Sequence, residues 1–257
     1  MKIICYSDLH FEFGWIFRPP ADSDADLMIL AGDIITCKDY TPLSRFLQNW
    51  QKLVLYVMGN HEYYTRRPMP EEERKFRQWL SERHPNVTLL LDEAIAVDGV
   101  HFFGGTMWTD FDCGNSQAMR TAQQQMNDYY KIYQPDGQPL TPAQTIVLHE
   151  IYKEKLIAWF ENDLSGARVV ISHHAPVMNP NTQYKDSPFW PAFHSLDMLP
   201  LIESYQPALW VYGHTHECDD QTIGKTRVIS NQSGYPNHLT IFECPDFDLK
   251  GQAIEVT

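Results

Sequence analysis

Five short segments of the chain place carboxylate, amide and imidazole side chains directly after apolar runs. They are Ser7-Asp8-Leu9-His10, Ala31-Gly32-Asp33, Gly59-Asn60-His61-Glu62, Ser172-His173-His174 and Gly213-His214-Thr215-His216. Hard oxygens mixed with imidazoles, and no cysteine among them, suit two divalent or trivalent first-row metals. Two adjacent metals sharing a carboxylate are a device for attacking phosphate esters. Asp33 is the natural bridge, because a carboxylate has two oxygens with which to hold two cations. Asp8 and His10 lie two apart, so at a strand end both are expected to face one ion. Asn60 offers a neutral amide oxygen, and His173, His214 and His216 complete the set. Seven ligands with one shared leave about four per metal, with positions free for water and substrate.

No segment is decisive alone. Asp-x-His and Gly-Asp are common in turns, and paired histidines are common in cores. The joint pattern carries the argument: all five segments follow apolar runs, and they gather six of the 11 histidines.

The elements that must position these residues are legible as short runs. Lys2–Tyr6, Leu27–Leu30 and Leu53–Met58 read as buried strands. Thr41–Gln51, opening on Thr-Pro with Leu43, Phe46, Leu47 and Trp50 at helical spacing, reads as a helix between the second and third. That alternation is a βαβ signal, and the C-terminal ends of parallel strands converge on a ligand crevice. Glu71–Arg83 reads as a helix with acids first and Arg last. Val87–Leu91, Ala94–Val97 and Val100–Gly104 read as strands, the last two joined by a hairpin turn at Asp98-Gly99. Asn115–Tyr133 and Thr141–Asn162 look helical. Arg168–Ser172 is a strand, Asn179–Pro191 a long loop, Ser195–Ser204 a short helix and Leu209–Tyr212 a strand. Arg227–Ser230 and Leu239–Glu243 are again strand-like. We expect an α/β fold with two sheets packed face to face and helices outside, as one domain over residues 1–257, with residues 109–163 supplying a partial lid.

Bulk properties restrict the partners. The 257 residues are 43% hydrophobic and 21% charged, enough for a sizeable core. The balance of 20 Lys+Arg against 33 Asp+Glu, −13 net, argues against a grip on long nucleic acid. It leaves room for a small phosphate substrate, because bound metals reverse the local field. The five cysteines are scattered, with no CxxC pair, which excludes a disulfide framework or zinc knuckle. No apolar run reaches transmembrane length and no signal peptide is visible, so a cytoplasmic location is expected.

Asp8-x-His10, Gly32-Asp33, Gly59-Asn60-His61-Glu62, His173 and Gly213-His214-Thr215-His216 resemble the five blocks of the calcineurin-like metallophosphoesterases. The resemblance spans residues 8 to 216. It implies a four-layer α/β/β/α sandwich of two mixed sheets flanked by helices, and a dinuclear site. By the family pattern Asp8, His10, Asp33 and His216 hold one metal, and Asp33, Asn60, His173 and His214 the other. Mn, Fe and Zn are all compatible. His61 matches the histidine that contacts the scissile phosphate and protonates the leaving group. Many members read His-His-Pro-Pro where this chain reads His173-His174-Ala175-Pro176. The first His aligns with the usual ligand, which leaves His174 as a supporting or substrate-facing group. Thr106–Asp110, Met126–Tyr129 and Asn231–Tyr235 further resemble a bacterial subgroup of unknown substrate.

The reaction so implied is hydrolysis of a phosphomonoester or phosphodiester of a small molecule or nucleotide by metal-bound hydroxide. A catalytically weak metal-binding scaffold of the same fold is the alternative; such scaffolds usually lose a ligand or the catalytic His, and here all are present. Arg66 and Arg67 are either a clamp for substrate phosphate or a solvated pair. Asp110, Asn127 and Asp128 either support the site or are surface polarity. Tyr184, Phe189, Trp190 and Phe193 either wall a ring pocket or pack their own loop. His149 reads as a core or surface histidine.

Overall fold

The computed structural model describes residues 1–236 and 242–256. One sheet holds β1 (Lys2–Tyr6), β2 (Leu27–Ala31), β3 (Leu53–Val57), β4 (Val87–Leu90) and β11 (Ile254–Glu255), in the order β11-β1-β2-β3-β4. β1 to β4 run parallel, and β11 adds antiparallel to β1. The second sheet holds β5 (Glu93–Val97), β6 (Val100–Gly105), β7 (Arg168–Ser172), β8 (Leu209–Val211), β9 (Asp219–Ile223) and β10 (Thr226–Ser230), in the order β5-β6-β7-β8-β10-β9. It is parallel through β6, β7, β8 and β10 and antiparallel at both edges.

The near-continuous apolar runs arise because most strands are covered on both faces. Along β1 and β2 the alternation divides side chains between two cores. Ile3, Cys5, Leu27, Ile29 and Ala31 meet Phe102, Val169, Ile171 and Val211 between the sheets. Ile4, Tyr6, Met28 and Leu30 face outward against Phe46 and Leu43 of α1 (Thr41–Leu47) and Phe76 and Leu80 of α2 (Met69–Arg83). On the other side, Tyr152, Leu156 and Trp159 of α6 (Pro142–Phe160) and Ile202 of α7 (Leu199–Tyr205) cover Phe103, Val170 and Trp210. The result is the expected α/β/β/α layering of two mixed sheets flanked by helices. Among the described residues no helix is long and apolar enough to cross a membrane.

Several boundaries differ from expectation. The Asn115–Tyr133 segment is two helices, α4 (Ser116–Gln125) and α5 (Asp128–Lys131), because Met126 adopts extended backbone at φ −84, ψ 136. A distorted turn, α3 (Phe111–Gly114), precedes them, with Asp112 and Cys113 at positive φ. The expected helix at Ser195–Ser204 is a 3-10 turn at Leu196–Met198 followed by α7. Within residues 109–163, α6 forms an outer layer of the sandwich. Its start is set by a capping box, Thr141 and Gln144 exchanging hydrogen bonds, with Pro142 in the first turn. β9 and β11 were not anticipated. Most of the strand expected at Leu239–Glu243 lies outside the described residues.

His149 of α6 is fully buried and braces this half of the molecule. Its Nδ1 lies 3.0 and 3.2 Å from the Met107 and Trp108 carbonyls, and its Nε2 3.1 Å from Asp197, which also takes Lys153 at 2.6 Å. Burial alone would lower the His149 pKa, but the bond to Asp197 outweighs it and raises it. A raised folded-state pKa gives stability that is present below the unfolded value and lost as pH rises through the folded one. His149→Asn is therefore expected to destabilise by about 1.5–3 kcal/mol at acid pH. The difference in Tm from the parent should shrink between about pH 5.5 and about pH 9. An equal deficit at both would show that only packing was lost.

Candidate metal centre

All seven expected ligands converge where the C-terminal ends of β1, β2, β3, β7 and β8 meet. One expectation about how they do so is corrected. Asp8 and His10 do not share a face by strand alternation, because the chain has left β1 before Asp8. Asp8, His10, Asp33, His214 and His216 instead adopt left-handed backbone, at φ 52, 45, 55, 72 and 51. Such conformations are costly for non-glycine residues and concentrate at functional sites. They turn each side chain back toward one centre. Glycines admit the crowding. A Cβ at Gly59 would lie 2.2 Å from Asp33 Oδ1, and one at Gly213 2.6 Å from Asp8 Oδ2.

Asp33 is 2% exposed, and its two oxygens address two separate groups. Oδ1 lies 3.4 Å from His173 Nε2, and Oδ2 lies 3.9 Å from His10 Nε2. On the His10 side, His10 Nε2 is 3.0 Å from His216 Nε2, which is 3.6 Å from Asp8 Oδ1. On the His173 side, its Nε2 is 3.0 Å from Asn60 Oδ1 and 3.1 Å from His214 Nδ1. Ligating atoms of Asp8, His10 and His216, and of Asp33, His173 and His214, lie within 4.8 Å of one another.

The outer hydrogen bonds fix which nitrogen of each ring faces inward. His173 Nδ1 donates to the Ala31 carbonyl at 2.9 Å, and His216 Nδ1 to Glu243 at 2.6 Å. His10 Nδ1 donates to Glu12 at 3.3 Å. In each case Nε2 is left with its lone pair aimed at the centre, the arrangement found behind metal-bound imidazoles. Asn60 donates its amide to Asp128 at 2.9 Å, which turns its oxygen inward. Glu62, fully buried, ties the scaffold together: it accepts from Asp33 N, Ile34 N, Gly59 N and the Tyr56 hydroxyl at 2.6–3.0 Å.

The electrostatics describe a site short of positive charge. Burial pushes the Asp33 carboxyl well above the usual range, and neighbouring Glu62 and Asp8 add to this. Burial lifts Asp8 to about 6, against the pull of His216. Burial pushes His10 down to about 3, and drives His173 and His214 well below the ordinary histidine value. Neutral imidazoles beside destabilised carboxylates are what a bound cation relieves. Nε2 of His214 is buried without a partner, so no outer hydrogen bond fixes this ring as in the other three. The donor set thus fits two cations of the O/N-binding type.

His61 lies against the His10 side of the centre, with a ring nitrogen within 4.8 Å of ligating atoms of His10 and Asp33. Its backbone N–H donates to Asp33 Oδ1 at 2.8 Å, so its position is tied to the bridge. Its Nδ1 donates to Glu12 at 2.8 Å, and its Nε2 lies 3.1 Å from the Tyr235 hydroxyl. Burial alone would raise Glu12, but the bonds from His10 and His61 hold it at about 2. The carboxylate on Nδ1 orients the ring, so that Nε2 faces the Tyr235 hydroxyl.

A cavity of about 370 Å³ opens from Asn60 and His61 toward Tyr184, Phe189, Trp190 and Phe193, and α4 and α5 border it through Gln125, Asn127 and Asp128. Three expected substrate contacts are not among its walls. His174 is buried behind His214, with ring centroids 4.1 Å apart, and burial takes its pKa to about 3. Arg67 holds the buried Glu72 in a two-pronged ion pair at 2.7 and 3.1 Å. Arg66 is exposed on its loop. Of the polar trio, Asp128 holds Asn60, Asn127 lines the cavity, and Asp110 caps a turn through Asp112 N and Cys113 N. Glu12 and Glu243 were not singled out from sequence, and Tyr235 entered only as the end of the Asn231–Tyr235 segment. Glu12 carried a local signal as the next carboxylate after Asp8-x-His10.

The family model for calcineurin-like phosphoesterases matches residues 1–218. The chain is 27% identical to an uncharacterised protein of Acanthamoeba polyphaga mimivirus, over 94% of each. It is 26% identical to a UPF0046 protein of Caenorhabditis elegans, over 84% of this chain and 64% of that protein. Among solved structures it resembles phosphopantetheinyl hydrolase from Mycobacterium tuberculosis, with a TM-score of 0.70 and 18% identity, over 91% of this chain and 90% of that one.

Proposed function

Because the chain belongs to the calcineurin-like phosphoesterase family, we propose that this metal-dependent phosphoesterase hydrolyses phosphate esters of small molecules or nucleotides at a pair of metal ions sharing Asp33. The observation that carries the reading is the division of the Asp33 oxygens between the His10 and His173 groups. Asp8, His10, Asp33 and His216 would hold one ion, and Asp33, Asn60, His173 and His214 the other. Mn, Fe or Zn suits this donor set. When bound, the ions supply Lewis-acid polarisation of phosphoryl oxygens and activation of water at neutral pH.

The chain's own residues do the rest. Asn60 and His61 sit on one turn, so the phosphate is held beside the group that protonates the departing oxygen. His61 Nε2 opens on the cavity and gives up its proton there. Glu12 holds the ring and compensates its charge from the far side. Glu12→Gln is expected to lower kcat/KM toward an alkyl phosphate about 10–100-fold, the usual cost of losing a residue that orients a functional histidine. A variant with unchanged kcat/KM would remove Glu12 from the account.

The reading is tested by turnover of matched phosphomonoesters and phosphodiesters by Mn²⁺-loaded protein, with 4′-phosphopantetheine in the panel because of the mycobacterial fold neighbour. Hydrolysis lost on chelation and restored by metal supports it. No turnover of any ester by metal-loaded protein would contradict it.

A further inference from the structure

We infer that the ester carries, beyond its scissile phosphate, a neutral ring-bearing alcohol of nucleoside size and no second anionic group; the inference rests on the phosphoesterase reading above. The cavity volume of about 370 Å³ is at the small end of small-molecule sites. One wall is a ladder of rings that ends at the metal centre. Tyr184 and Trp190 lie 6.2 Å apart, Trp190 and Phe193 stack at 6.1 Å and 16°, and Phe193 stacks on His214 at 4.8 Å and 28°. A flat group bonded to a phosphate held beside His214 would lie against these rings, where aromatic contact is favourable. Across the cavity, Gln125 and Asn127 present amides, which donate to and accept from the polar edge of a ring.

The charges select against a further anion. Asp128 and Glu243 line the cavity, and both are already committed. Asp128 accepts from Asn60 and Tyr64, and Glu243 from His216 and the Tyr235 backbone. Among the described residues no Lys or Arg lines the cavity, and residues 237–241 contain none in sequence. Lys131 lies over the Tyr64 ring at 4.8 Å, outside the lining. A distal phosphate would therefore meet carboxylates without a compensating cation, an arrangement that rejects ligands.

Three p-nitrophenyl diesters with one leaving group test this on Mn²⁺-loaded protein: the methyl ester, the thymidine 5′-ester, and the thymidine 5′-ester bearing a 3′-phosphate. The thymidine ester should exceed the methyl ester by about 10-fold in kcat/KM, the low end of the value of stacking a base on an aromatic side chain. The 3′-phosphate should reverse that gain by about 10-fold or more. Tyr184→Leu should shrink the ring preference, and Gln125→Lys should restore turnover of the 3′-phosphorylated ester. Thymidine 5′-phosphate should also displace thymidine 3′,5′-bisphosphate in calorimetric competition. Equal rates on the methyl and thymidine esters, or preference for the doubly phosphorylated one, would overturn the inference while leaving phosphoester hydrolysis intact. No turnover of all three beside turnover of p-nitrophenyl phosphate would overturn the inference alone, and no turnover of any of the four would overturn both.

Discussion

Asp33→Asn is expected to lower kcat/KM by at least about 10³-fold, a loss of about 4 kcal/mol of transition-state stabilisation. The magnitude follows from position. Among the described residues, Asp33 is the side chain whose two oxygens reach both the His10 and the His173 groups. An amide retains one oxygen for one ion and turns a donor toward the other. The second consequence has the opposite sign. Without metal, the Asp33 carboxyl is buried beside Glu62 and Asp8 and shifted well upward, so its charge opposes folding. Metal-free Asp33→Asn protein should therefore melt higher than the metal-free parent, each kcal/mol gained being worth about 2–4 °C in a chain of this size. Metal added in excess should raise the parent's Tm more than the variant's. Lower activity with lower metal-free stability would instead mark Asp33 as a purely structural carboxylate.

His61→Ala should retain metal and lose about 10²–10⁴-fold in kcat toward alkyl phosphates, the range supplied by a positioned general acid. Toward p-nitrophenyl esters the loss should be much smaller, because that leaving group departs without a proton. The ring's hydrogen bonds suit that role: Nδ1 faces Glu12 and Nε2 the Tyr235 hydroxyl, and a ring nitrogen lies within 4.8 Å of ligating atoms of His10 and Asp33. The deleted ring also packs on His10 and Tyr64, at 4.4 and 4.2 Å between centroids. Metal content of the variant therefore has to be measured beside its rate. Equal losses on both ester types with metal retained would refute the acid role.

The sequence made the candidate ligands legible because each of the five segments follows an apolar run that reads as a buried strand. The two cores followed from those runs as well, since residues such as Ile3 and Ile4 must both be covered. What sequence could not show was the backbone that aims the ligands. Left-handed φ at Asp8, His10, Asp33, His214 and His216 leaves little trace in residue types other than glycine. The break at Met126 was equally invisible, since its side chain suits a helix as well as extended backbone. β9 was missed because Asp219-Asp220-Gln221-Thr222-Ile223 is a polar edge strand without an apolar alternation. Glu12 and Glu243 were missed for another reason. Exposed-looking acids become functional only when the fold brings a histidine nitrogen to them, and Glu243 lies 27 residues from His216.

The claim that most of the account depends on is a pair of metal ions sharing Asp33. Anomalous diffraction from crystals soaked in Mn²⁺, with data on both sides of the manganese edge, tests it most directly. The account predicts two manganese peaks, one among Asp8, His10 and His216, the other among Asn60, His173 and His214, with Asp33 in contact with both. A single peak, or two peaks of which only one touches Asp33, would contradict it.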